Sequence, residues 1–587
     1  MPITSNTNLP FTNAFASLPH RRLGALIWLA FIALALWGLW ASIDIGIGWD
    51  EEAERGTLLI NLSAIQGLLQ GSTQGYEALL AHGDRYYGIG FHLPAYALAQ
   101  LLQSSLASFS LATIAPSIAS LVSIPNATNH LVVTHISVWL CFLGSALLVR
   151  TLLKHLTSNA LVANLGMLTL ALWPYLLGHG LMNIKDIPFV FAWLLCTVIA
   201  LPLHQIPAMG SGNLPTPSKG RILLLAMATA WLLSIRISGI LIFAQYGCLF
   251  MSYWYFAHTR QERALLSTKS VLKWIAIQAA LFLPVFFKTL ILFYPVAWHN
   301  PLELIHAIAY MSHHPWDGTT LTAGRFIAPG TKLYLYIFVW LLAKLPLIVL
   351  IGLLLAPWSL YQRYQQLQSQ VLQKTSPAER KSMALLIGLA GGVLVIILAL
   401  IIKRVGLYNE LRQTLFLFPL LFVIGISSVY FLSKKITLAG LILTSTLFIW
   451  DNLTLYPYNY SYLNELARQR PATQYFETDY FGFSAGRSGR WLSTQSQYGH
   501  AVCIYAYPAH LLSYELNSKM YPCLMSSEGN ALNLPKDKPS LLYITQRNLI
   551  NFAIPAQCTL IHSEERTLPL SRQPLVMGRL FDCKPVQ

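Results

Sequence analysis

Three short polar stretches interrupt an otherwise apolar chain, and their residue types could do chemistry. The first, Gly48-Trp49-Asp50-Glu51-Glu52-Ala53-Glu54, sets four carboxylates within five positions, just beyond a long apolar run. A carboxylate at a membrane–water boundary can serve as general base toward a polar acceptor while a lipid-linked donor lies in the adjoining leaflet. Trp49 reads as an interfacial anchor. The plainer reading is a solvated acidic loop. The second stretch, His179 to Phe189, packs His179, Asn183, Lys185 and Asp186 into a tight hairpin ahead of Pro188. Taken singly, Asp186 could be a helix cap and Lys185 a snorkelling anchor. The third, Lys403 to Gln413, carries Lys403, Arg404 and Arg412, cations suited to a phosphate or pyrophosphate headgroup. Its alternative is an exception to the charge rule of membrane loops. Lys344, deep in an apolar run, reads as a snorkelling side chain.

The elements that must position these groups are membrane spans. Of 587 residues, 55% are hydrophobic and only 11% charged, against about one quarter charged in a soluble domain. Disorder and a small disulfide scaffold are excluded on the same grounds. A span needs about 20 apolar residues. Candidates are Leu23–Ile43 (an uncleaved signal anchor), Leu131–Val149, Leu161–Leu177, Ile187–Leu203, Ile222–Ile235, Ile237–Phe256, Val271–Phe293, Leu333–Trp358, Ala384–Ile402, Gln413–Leu432 and Ile436–Leu453, about eleven in all. Gly88–Val122 is apolar only in patches and reads as interfacial helices. With the N-terminus cytoplasmic, the inner loops hold 15 Lys and Arg against nine in the outer loops before residue 455, the bias that the positive-inside rule requires. The weak point is Ile222–Phe256, which could be one long helix interrupted at Arg236. The net charge of +16 then reflects loop anchoring and calls for no nucleic acid.

On this layout the 23 acids fall almost wholly on the outer side, and none lies at mid-membrane depth. That disfavours a proton-coupled transporter, which needs intramembrane carboxylates. From residue 455 onward the hydrophobic runs shorten and alternating stretches such as Leu541–Thr545 predict strands. The layout is thus a mainly α transmembrane domain, 1–454, followed by a small α/β outer domain, 455–587. Cys503, Cys523, Cys558 and Cys583 all fall in that tail, where two disulfides are expected with three pairings open. No CxxC spacing supports zinc. The outer acids could take Mg²⁺ or Mn²⁺ through oxygen, although no spacing demands it.

Four motifs in this order resemble the GT-C integral-membrane glycosyltransferases, in particular family 39-like relatives of protein O-mannosyltransferases and the aminoarabinose transferase. They are Trp49-Asp50-Glu51, the run His179–Phe189, Leu407–Pro419, and Tyr456–Ser484 with its Phe476-Glu477-Thr478-Asp479-Tyr480-Phe481-Gly482 core. The likeness extends to about residue 492. It implies a GT-C-like bundle in a bacterial inner membrane, with the C-terminal domain periplasmic. It implies transfer of a sugar from a polyprenyl-phosphate donor to an acceptor hydroxyl on a glycolipid, polysaccharide or protein, with inversion. Asp50 would be the general base, Glu51 would position the acceptor, and Asp186 would be a second catalytic carboxylate. Lys185, His179, Arg412, Arg404 and Lys403 would face phosphate. The chain departs from the pattern at Ile184, Gln413 and Phe481. The competing readings are a polyprenyl-lipid flippase and a non-catalytic membrane scaffold.

Overall fold

In the computed structural model the described residues are 20–107, 126–204, 218–259, 262–263, 268–314, 316–369, 376–498, 503–526, 534–535, 538–551 and 553–585. Every apolar run proposed as a span is helical. Among the described residues, eight helices are long and apolar enough to cross a membrane, or nine if one bent pair is a single span.

Two expected spans are not straight, and proline explains both. The helices Ala160–Leu172 and Pro174–Met182 meet at a 64° bend. The run Leu333–Trp358 is broken into Leu333–Lys344 and Leu347–Ser369. Trp173 precedes Pro174 with ψ 111°, and Leu345 precedes Pro346 with ψ 137°. A proline ring pushes the preceding residue out of the α region in this way. The doubtful stretch Ile222–Phe256 is also two helices. Lys219–Ile235 ends at Arg236, whose backbone is extended (φ −145°, ψ 128°), and a 3-10 turn restarts the chain at Ile237. The first loop threads this break: Gly90 N donates to Ser234 O at 2.9 Å, and Trp231 Nε1 donates to Gly90 O at 2.8 Å. A Cβ on Gly88 would lie 1.9 Å from Ser234 O, so only glycine permits the approach. Part of the apolar stretch Gly88–Val122 is the helix His92–Ala107; residues 108–122 lie outside the described set.

Residues from the first loop, the hairpin before Asp186, the Arg236 break, positions 314 and 316–319, the 408–412 segment and the tail line a single cleft. Elsewhere the helices are tied by polar contacts: Arg380 Nε donates to Ala257 O at 3.2 Å and Ser382 Oγ to Leu156 O at 2.6 Å.

Two small antiparallel strands, β1 (Thr320–Thr322) and β2 (Arg325–Ile327), lie near the cleft. The tail forms a five-stranded mixed sheet from β3 (Cys503–Tyr507), β4 (Leu524–Ser526), β5 (Ser540–Thr545), β6 (Cys558–Arg566) and β7 (Leu575–Cys583), in the order β4-β3-β5-β7-β6. The alternating stretch Leu541–Thr545 is its central strand. Disulfides join Cys503 to Cys523 and Cys558 to Cys583. Between residue 455 and the first strand of this sheet, Tyr458, Tyr460, Tyr462, Tyr480 and Phe483 pack in the same core as the membrane helices. The small domain is thereby joined to the bundle over apolar contact.

Candidate active site

The cleft has a volume of about 800 Å³. One wall is the helix Trp49–Leu69, and its N-terminus decides which acid does what. Gly48 N donates to Glu51 Oε1 at 2.7 Å, capping the first turn. Glu51 Oε2 meets His135 Nε2 at 2.7 Å, while His135 Nδ1 contacts Ser42 O at 3.0 Å. Glu51 is therefore buried, with both oxygens engaged in joining three helices, and it is not among the residues lining the cleft. Asp50, Ala53, Glu54 and Thr57, one helical face, do line it. Asp50 is 36% exposed and accepts a hydrogen bond at Oδ2 from Arg412 Nη1. The Trp49 ring packs edge-on against Tyr507 at 5.2 Å and His510 at 5.5 Å, so it fastens the helix to the sheet domain.

The hairpin residues divide in the same manner. Lys185 lines the cleft, pairs with Glu54 Oε1 and sits 3.3 Å from the Tyr87 ring centroid. Burial alone would raise the Glu54 carboxyl, but Lys185 and His92 hold it well below the usual carboxylate range. Asn183 caps the next helix by accepting from Asp186 N at 2.8 Å. Asp186 is buried and spends its oxygens on Arg236 and on Asn183 Nδ2 (2.9 Å). Asn183 Nδ2 also contacts His179 Nδ1 at 2.8 Å, and His179 Nε2 meets the Tyr480 hydroxyl at 3.1 Å. A buried polar belt thus runs from Arg236 to Tyr480, both of which reach the cleft. His179 and Asp186 act behind the wall.

Of the third stretch only part arrives. Arg412 and Tyr408 line the cleft, whereas Lys403 and Arg404 are exposed elsewhere. Glu410 points inward and pairs with Lys344 at 2.7 Å, both side chains fully buried. Lys344 also donates to Tyr460 O at 3.2 Å, so it does not snorkel. Burial pushes the Glu410 carboxyl up to about 8 against the pull of Lys344.

Sequence reasoning missed four contributors: Arg236, Trp316, Glu477 and Arg547. Arg236 was legible only as a loop cation, and Arg547 lies beyond the reach of any motif. Glu477 and Asp479 stood inside the fourth motif without an assigned role. Asp479 is tied down by Ser484 N at 2.9 Å and Phe483 N at 3.2 Å. Glu477 faces Arg547 Nη1 at 3.5 Å, and burial pushes its carboxyl up to about 7 against the opposing pull of Arg547.

Among the described residues no group of three or more His, Cys, Asp or Glu side chains could hold a metal ion. Three of the acids lining the cleft face cations, Asp50 with Arg412, Glu54 with Lys185 and Glu477 with Arg547. No step below passes through a metal ion.

No protein-family model and no curated protein matches the chain. Two solved structures align with it along nearly their whole length. ArnT from Cupriavidus metallidurans in the apo state is 13% identical, with 95% of this chain and 98% of that chain covered and a TM-score of 0.39. ArnT from Cupriavidus metallidurans bound to undecaprenyl phosphate is 12% identical, with 94% and 97% covered and a TM-score of 0.39.

Proposed function

We propose that this chain is a multi-pass membrane glycosyltransferase. In this reading it moves a sugar from a polyprenyl-phosphate donor to an acceptor hydroxyl on a glycolipid, polysaccharide or protein. The cleft opens on the periplasmic face of a bacterial inner membrane, and the N-terminus is cytoplasmic. The observation that carries the proposal is the Asp50–Arg412 pair: a partly exposed carboxylate, bound through one oxygen, at the mouth of a cleft flanked by Lys185 and Arg236. The order of the four motifs supports it too.

Asp50 Oδ1 takes the acceptor proton as the hydroxyl oxygen attacks the anomeric carbon. The bond from that carbon to the phosphate oxygen breaks, its electron pair leaves with the polyprenyl phosphate, and the anomeric configuration inverts. Arg412 orients Asp50 by donating to its Oδ2. Lys185 and Arg236 balance charge on the departing phosphate, with Asp186 and Asn183 fixing Arg236 from behind. Glu51 serves the architecture of the helix start.

Membranes carrying the protein are incubated with labelled polyprenyl-phosphate hexose and candidate acceptors. Covalent transfer of label that disappears in Asp50→Asn is the expected result. Translocation of the lipid without transfer would make the chain a flippase, and neither event would leave a scaffold; either outcome sinks the proposal.

A further inference from the structure

The sheet domain reaches into the cleft at one point. Strand β5 runs directly into the short helix Gln546–Asn551, and Gln546 pins that junction: its Nε2 donates to Phe476 O at 3.2 Å, and its Oε1 accepts from Thr478 N at 3.3 Å. The pin sets Arg547 opposite Glu477. Arg547 Nη1 lies 3.5 Å from Glu477 Oε1, and Nη2 donates to Thr319 O. Behind them, Trp316 stacks on Tyr408 at 4.4 Å and 15°, with the Arg547 guanidinium 5.6 Å from Trp316 and that of Arg412 5.4 Å from Tyr408. The two rings thus link the sheet domain's cation to the cation that holds Asp50.

This wall has acceptors with nothing to accept. Glu477 is 3% exposed, and its Oε2 has no hydrogen-bond partner among the described residues; the same is true of Asn409 Oδ1. Both residues line the cleft. A buried acceptor left unpaired is costly, so such atoms are met where a ligand supplies the donor. The unmet atoms here are acceptors, which an anionic phosphate, itself an acceptor, cannot satisfy. Hydroxyl groups suit them better: each O–H can donate to Glu477 or Asn409 and accept from Arg547, while the edges of Trp316 and Tyr408 offer apolar contact to ring C–H groups.

From this we infer that Glu477, Arg547, Asn409 and the Trp316–Tyr408 stack form a subsite for a hydroxyl-bearing sugar ring, walled by the sheet domain and distinct from the phosphate-facing cations. The inference rests on the proposed function for its place in a reaction, though not for binding itself. The ring belongs to the donor or to a glycan acceptor.

The test uses the full chain in lipid nanodiscs and three labelled probes: polyprenyl phosphate, polyprenyl-phosphate hexose, and a methyl hexoside. Glu477→Gln and Arg547→Lys are compared with wild type by equilibrium binding. Either variant should weaken a sugar-bearing probe about tenfold or more, as expected for a lost hydrogen bond to a charged group, and leave polyprenyl phosphate within twofold. Weakening of the lipid-linked hexose alone assigns the donor sugar; weakening of the methyl hexoside assigns the acceptor. Unchanged binding of both sugar probes overturns the inference, and so does an equal loss for all three. A wild-type protein that binds the hexose more tightly than the bare phosphate yet transfers nothing would refute the glycosyltransferase reading and keep the subsite.

Discussion

Two sets of carboxylate–cation pairs lie within one protein, one lining the cleft and one inside the helical core. In the core, Glu410 and Lys344 are fully buried, and Arg468 grips Asp451 through two bonds of 2.8 and 2.9 Å. Arg468 also donates to Pro569 O at 2.8 Å and to Leu463 O at 2.7 Å, which ties the tail to the last membrane helix. In the cleft, Glu54 is held by both Lys185 and His92, but the other pairs keep something in reserve. Asp50 is held by one oxygen, and Glu477 Oε2 and Arg412 Nε have no hydrogen-bond partner among the described residues. The chemistry of the groups is the same in both places. What differs is access: Glu410 and Asp451 are sealed in the core, whereas Asp50 and Glu477 line the cleft, where an atom left unbonded can engage a ligand.

That contrast can be broken by substitution. Asp50→Asn should lower turnover by about 10²–10⁴-fold, the usual worth of a general base, with the thermal unfolding midpoint unchanged. A near-normal rate in the purified variant would remove Asp50 from the mechanism. Arg468→Ala should do the reverse. Stranding a buried Asp451 costs about 3–5 kcal/mol of stability, read from the loss of folded protein in detergent, whereas the double change Asp451→Asn with Arg468→Met should recover part of it.

Glu477 sits between the two sets and titrates accordingly. Its folded value of about 7 is above the unfolded value, because burial disfavours the charged form. Its contribution to stability is therefore complete below the unfolded value of about 4.5 and is lost as pH rises through about 7. Glu477→Gln fixes the neutral form, so the variant should outlast wild type at pH 8 and show a flatter stability curve between pH 5 and 8. An unchanged slope would contradict the burial argument. The smallest effect is expected at Lys403→Ala and Arg404→Ala. Both side chains are exposed and outside the cleft, and turnover should stay within about twofold, as for other surface positions; a large loss would redraw the phosphate side.

Much of this was readable in advance because a membrane span announces itself by length and hydropathy alone. All the apolar runs became helices, and several of the polar segments between them line one cleft. The fine breaks were less legible. Pro174 and Pro346 were in plain view, yet whether a proline kinks a span or ends it depends on the neighbours available to satisfy the freed backbone groups. Among the site residues, Asp50, Lys185 and Arg412 reached the cleft together. Glu51 was indistinguishable from Asp50 by type, and one step of 100° around the helix sent it to His135 instead. Lys344 and Glu410 are 66 positions apart, and nothing local to either foretold their pairing.

The sequence by itself determined a mainly helical chain built for a membrane, with almost all of its carboxylates outside the apolar runs and four tail cysteines available for disulfides. Those properties follow from composition and local periodicity, which act residue by residue. Only the tertiary structure decided which carboxylates face the cleft, which cysteines join, and that Arg547 of the sheet domain completes a wall begun by Glu477. Those outcomes depend on long-range packing and on which hydrogen bonds remain unmade, and neither is written in the spacing of residues along the chain.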